Sequence, residues 1–112
     1  MDELSTLGDT TIAEFYQDRA LTTSTLSPSM FPVQPATLSD LEGADRDSNA
    51  ATTRAILHGT ERGPKRDAVL LNAGAGLFVA GHCRSLLDGW EMAAQVIDSG
   101  AGAAKLELLR QV

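Results

Sequence analysis

Cysteine, aromatic residues, basic clusters and long apolar runs are all scarce in this chain of 112 residues. The single cysteine, Cys83, has no partner for an internal disulfide, which points to a reducing, cytoplasmic compartment. Aromatics make up only 4%, so Leu, Ala, Val and Ile must supply most of any core. A net charge of −6 without a Lys/Arg run argues against a nucleic-acid or anionic-membrane surface. The first residues carry neither a basic region nor an apolar stretch, so no secretory signal is expected. The longest apolar run, residues 68–80, is interrupted by Asn72 and is too short to cross a bilayer. What remains, 43% apolar and 21% charged, is the composition of one small globular domain.

The pattern changes along the chain, from strand and turn character to helix. Residues 10–16 are rich in β-branched and aromatic side chains, with Ile12, Glu14 and Tyr16 on one parity, and predict a strand. A turn over 17–20 and a second strand over 21–26 complete a hairpin. Residues 27–35 hold three of the four prolines and are expected to be irregular. Residues 37–41 suit a helical turn closed by Gly43. Asp47 or Ser48 is expected to cap a helix that runs to His58 and stops at Gly59. Gly63-Pro64 opens the next helix, with Asp67 in the first turn where a carboxylate suits the helix dipole. Its apolar length, 68–80, predicts burial on all sides, ending at Gly81. Ser85 with Asp88 resembles a capping box, and Leu86, Trp90, Ala93 and Ile97 form an amphipathic stripe closed by Ser99-Gly100. A last helix is expected over 103–111, with Leu106 and Leu109 on one face and Lys105 and Glu107 outside.

Few residues suggest chemistry. Gly74-Ala-Gly76 falls short of a dinucleotide fingerprint, because the third glycine would stand at Val79 and no strand precedes it; small residues admitting a neighbouring backbone explain it better. His58, His82 and Cys83 lack the separation of a metal site and suit helix ends. Asn72, the only polar residue within the apolar run, must find partners and is expected to lock onto neighbouring backbone. Asp2 and Glu3 are hard oxygen donors, adjacent and pointing to opposite sides of an extended segment. Such a pair suits Mg²⁺, which is held by one or two carboxylates together with substrate phosphates. In isolation, a terminal acidic pair is ordinarily solvated.

Longer motifs carry a family likeness. The segment Leu57-His-Gly-Thr-Glu-Arg-Gly-Pro-Lys-Arg-Asp-Ala-Val-Leu-Leu-Asn-Ala-Gly-Ala-Gly-Leu-Phe-Val-Ala-Gly81 resembles the C-terminal signature of the anthranilate phosphoribosyltransferases. Ser85-Leu-Leu-Asp-Gly-Trp90 and Ala94-Gln-Val-Ile-Asp-Ser-Gly100 continue the likeness, and Met1-Asp-Glu-Leu-Ser5 with Thr10-Thr-Ile-Ala-Glu14 resembles the acidic metal motif and the strand after it. The match runs in order across nearly the whole chain. It implies an α/β fold, here a short hairpin from a larger sheet followed by four to five helices. Residues 1–35 would be metal motif, hairpin and Pro-rich connection; residues 36–112 would be the helical part.

The resemblance further implies transfer of a phosphoribosyl group from phosphoribosyl pyrophosphate to anthranilate in tryptophan biosynthesis, with Asp2 and Glu3 binding Mg²⁺ and pyrophosphate. Two departures stand out: Phe31-Pro32 replaces the usual Phe-Gly, and His82-Cys83 stands where less reactive residues are common. In the family, the glycine-rich phosphate loop, the basic loop and the anthranilate pocket precede the acidic pair. No residue here is expected to be catalytic or to hold anthranilate, so the chain alone is expected to be inactive. It should act as a homo-oligomer or with a complementing N-terminal half. A second class of function, a non-catalytic helical module for assembly or binding, is also compatible with the residues.

Overall fold

In the computed structural model, which describes residues 3–15 and 20–111, a two-stranded hairpin is followed by five α-helices. Strands β1 (Thr10–Glu14) and β2 (Thr22–Leu26) pair antiparallel, with Thr10 opposite Leu26 and Glu14 opposite Thr22. The fold decides which parity is covered: Thr10, Ile12 and Glu14 are half-buried while Thr11 and Ala13 face out. β1 is shorter than expected, since Phe15 already lies beyond the ladder; Tyr16 and most of the expected turn fall outside the described residues.

The proline-rich traverse corrects one expectation, because it contains a 3-10 turn over Pro28–Met30. Proline at the first position has a preset φ and lacks an N–H that would be unpaired there anyway. The traverse also delivers Phe31 to the core, where its ring centroid lies 5.7 Å from that of Trp90.

Helix α1 (Leu38–Leu41) is one turn, begun by Asp40, whose carboxylate accepts from both the backbone N–H and the hydroxyl of Thr37 at 2.7 Å. Helix α2 (Arg46–Leu57) is capped by Asp45 and not by Asp47 or Ser48. The spacing decides this: Asp45 reaches the N–H of Ser48 at 2.8 Å, three residues on, whereas Asp47 and Ser48 are already inside the first turn. The hydrogen bonds from Thr37 hold the Asp40 carboxyl below its ordinary pKa, and those from Ser48, backbone first, do the same for Asp45.

Helices α3 (Pro64–Val79) and α4 (Leu86–Asp98) form the most extensive helix–helix contact, and α5 (Ala101–Leu109) closes the chain. The stripe on α4 behaves as read: Trp90, Ala93 and Ile97 are buried with Leu70 and Leu71 of α3, Ile56 of α2, Leu26 and Phe31, and Leu86 packs against them half-buried. Ser85 accepts the N–H of Asp88 at 3.1 Å, one half of the expected capping box. Helix α3, however, is not buried on all sides, since Val69, Ala73, Gly76 and Val79 are exposed. An Ala/Gly-rich run is apolar in every direction, so its composition cannot say which sides have neighbours.

Helix α5 starts two residues earlier than expected, because Gly100 at φ +80° turns the chain and restarts it at once. Its buried residue is Ala103, while Leu109 remains exposed. Among the described residues, no helix is long and apolar enough to cross a membrane.

Candidate functional site

The N-terminal segment 3–9 lies outside regular structure and needs another source of order. Asn72 supplies it. Its Oδ1 accepts the N–H of Leu4 at 2.9 Å, and its Nδ2 donates to the carbonyl of Leu4 at 3.0 Å. The second Nδ2 hydrogen goes to the carbonyl of Ala68, one turn back on α3, at 3.0 Å. Because one end of the amide faces a donor and the other faces acceptors, its orientation is determined; a reversed amide would set donor against donor. The expected backbone lock is therefore present, across 68 positions of sequence.

Glu3 directly precedes the clamped residue and is exposed. It opens onto a cavity of about 320 Å³ lined by Glu3, Leu4, Thr6, Leu41, Ala68, Val69 and Asn72. Thr6 is buried there, and its hydroxyl has no hydrogen-bond partner among the described residues. Asp2, the other half of the expected metal motif, lies outside the described residues. His58 caps the C-terminus of α2, and His82 and Cys83 follow the C-terminus of α3, at the helix ends where they were expected.

Two polar anchors escaped the sequence reading. Asp67 is 5% exposed and does more than face a helix dipole: it accepts the backbone N–H of Gln34 at 2.8 Å and the Gln34 side chain at 3.2 Å. The same Gln34 amide donates to the carbonyl of Arg62 at 2.7 Å, so one glutamine ties the Pro-rich traverse to the entry of α3. Asp98, at the end of α4, accepts from Arg62 at 3.2 Å and Arg66 at 3.0 Å. The only sequence signal for either was a charged residue beside an apolar helix, which fits a solvated face equally well.

Helices α3 and α4 cross at Gly74 and Gly89, where a Cβ on Gly74 would stand 2.7 Å from the backbone nitrogen of Trp90. Close backbone approach thus accounts for Gly74, while a Cβ on Gly76 would meet nothing within 4 Å.

The family model described as the glycosyl transferase family, a/b domain, matches residues 1–103. The chain belongs to that family. Among curated members, it is 45% identical over 109 residues to an anthranilate phosphoribosyltransferase from Rhizobium rhizogenes, covering 97% of this chain and 32% of that protein. A second anthranilate phosphoribosyltransferase, from Trichlorobacter lovleyi, is 41% identical over 97% of this chain and 31% of its own length. The crystal structure of anthranilate phosphoribosyltransferase from Thermus thermophilus superposes with a TM-score of 0.80 at 37% identity, over 90% of this chain and 30% of that one. This family member thus spans about a third of the length of the curated relatives it matches. The α/β assignment, a hairpin followed by helices, agrees with that solved relative.

Proposed function

We propose that these 112 residues form the acidic-pair and helical portion of an anthranilate phosphoribosyltransferase, which joins phosphoribosyl pyrophosphate and anthranilate in tryptophan biosynthesis. The observation that carries this reading is the 45% identity to a protein of that name over 97% of the chain. In this reading residues 1–35 are the metal-binding arm with its hairpin and residues 36–112 the helical body, working in the cytoplasm.

Asp2 and Glu3 are the proposed Mg²⁺ ligands. The donor chemistry fits at Glu3, an exposed carboxylate beside backbone held by Asn72. Mg²⁺ favours oxygen donors of this kind and keeps several waters of its own. The ion, when bound, would neutralise charge on departing pyrophosphate. The chain's own residues would then have three tasks: the two carboxylates hold the ion, Asn72 holds the peptide that follows Glu3, and α3 carries Asn72. Titration calorimetry with magnesium pyrophosphate tests the ligands. Asp2→Ala and Glu3→Ala should each weaken binding, and unchanged isotherms would reduce the pair to surface charge.

By themselves these residues are proposed not to turn over. The chain spans about a third of its relatives' length, and in this reading the family's phosphate-binding loops and anthranilate pocket belong to the remainder. Exposed Phe15, Leu21 and Val79 further suit a chain that associates, with another copy or with a complementing N-terminal half. A coupled assay on the purified chain should give no phosphoribosylanthranilate, and product above background refutes the point. Light scattering should show an oligomer, or a complex once the complementing half is added. A monomer indifferent to that half contradicts it.

A further inference from the structure

We propose that Asn72 is a positioning residue for Glu3, holding the peptide that follows it; this rests on the reading of Glu3 as a metal ligand given above. The N–H of Leu4 belongs to the peptide plane that also contains the carbonyl of Glu3. The carbonyl of Leu4 belongs to the next plane. Asn72 grips both, at 2.9 and 3.0 Å, so the backbone on the C-terminal side of Glu3 is oriented by one side chain. The clamp thereby places the Glu3 Cα, and the rotation about its Cα–C bond and its side-chain torsions set where the carboxylate reaches.

The clamp is anchored on a firm support. Asn72 follows Leu70 and Leu71, which are 1% and 2% exposed and form the centre of the core. Its own amide is fixed by the third bond, to the Ala68 carbonyl. The segment it holds has little order of its own: Ser5 N–H reaches Thr10 Oγ1 at 3.3 Å and Leu7 N–H reaches Ser5 Oγ at 3.0 Å, both local bonds. An apolar residue at position 72 would suit the surrounding helix, and burying an amide there costs free energy unless every bond is made. Both N–H donors and one acceptor position of the amide are used, and two of these bonds go to the residue beside Glu3. Removing an outer group that orients a ligand typically costs about ten- to a hundredfold in metal affinity.

The test compares magnesium pyrophosphate binding by calorimetry in the wild-type chain, Glu3→Gln, Asn72→Leu and Asp67→Ala. Asp67→Ala cuts a different tether between a loop and α3, and serves as the control for simple destabilisation. Asn72→Leu should weaken binding roughly tenfold or more, while Asp67→Ala lowers the melting temperature and leaves affinity within a factor of two or so of wild type. Asn72→Leu binding as wild type does, with Glu3→Gln weakened, overturns the inference and leaves the metal reading standing. Equal binding by wild type and Glu3→Gln overturns the metal reading and the inference with it.

If Asn72→Leu does not fold, hydrogen exchange of the Leu4 amide in the wild-type chain decides. Coupling is reciprocal, so saturation with magnesium pyrophosphate should slow that exchange several-fold. An unchanged rate refutes positioning.

Discussion

Gly74 of α3 and Gly89 of α4 meet backbone to backbone, with no room for a side chain between them. A Cβ on Gly74 would lie 2.7 Å from the nitrogen of Trp90 and 2.8 Å from the carbonyl carbon of Gly89. This contact sets how closely the two main helices approach, and it brings Trp90 under the same core that receives Phe31.

Gly74→Ala and Gly89→Ala should therefore each destabilise the fold by roughly 1–3 kcal/mol through overpacking. Gly76, two residues along the same helix, has open space at its Cβ position. Gly76→Ala should instead raise stability by up to about 1 kcal/mol, through helix propensity alone. Urea denaturation of the three variants reads this directly, and similar effects at 74 and 76 would contradict the crossing geometry.

Asp67 ties the Pro-rich traverse to α3 from a buried position. Its loss leaves the backbone N–H of Gln34 without that acceptor, so Asp67→Ala should cost roughly 1–3 kcal/mol. Asp67→Asn keeps an acceptor and should cost less. Chemical denaturation in which both variants match wild type would mean that the traverse is held elsewhere.

Asp98 receives two guanidinium groups of different exposure. The Arg62 side chain is 62% exposed and the Arg66 side chain 11%. Screening by water should keep the effect of Arg62→Ala below about 1 kcal/mol. Arg66→Ala removes buried aliphatic stem as well as charge and should cost clearly more. Thermal melts at low and high salt separate the two: the loss at Arg62 should shrink with salt, and most of the loss at Arg66 should persist.

The acid limb of stability should depend on the two helix-start carboxylates. Asp40 and Asp45 titrate below their ordinary value of 3.8 in the folded chain, because Thr37 and Ser48 donate hydrogen bonds to the ionised forms. Between the folded and unfolded pKa values the unfolded chain binds more protons, so stability rises with pH across that window. The contribution is complete above 3.8 and disappears as pH falls through the lowered folded values. Asp45→Asn and Asp40→Asn should flatten the acid limb in melts taken from pH 2 to 5 or so, and an unaltered limb would refute their part in it.

Much of this protein was legible in the residues themselves. Glycine at 59, 81 and 100 announced helix ends, and each adopts a positive φ. The steps among Leu86, Trp90, Ala93 and Ile97 marked a buried stripe, because helical periodicity is a local property of the chain. An amide alone in an apolar run required partners, which made a lock by Asn72 foreseeable. The family likeness was readable too, since it lies in linear motifs.

What the chain alone did not determine was who meets whom. Only the packing named Leu4 as the partner of Asn72, 68 positions away, and Gln34 as the partner of Asp67. Only the crossing of α3 with α4 separated Gly74, which must be glycine, from Gly76, which need not be. The open side of α3 likewise followed from where its neighbours lie and not from its composition. Periodicity and caps act within a few residues, whereas these relationships depend on distances that exist only after the chain has folded.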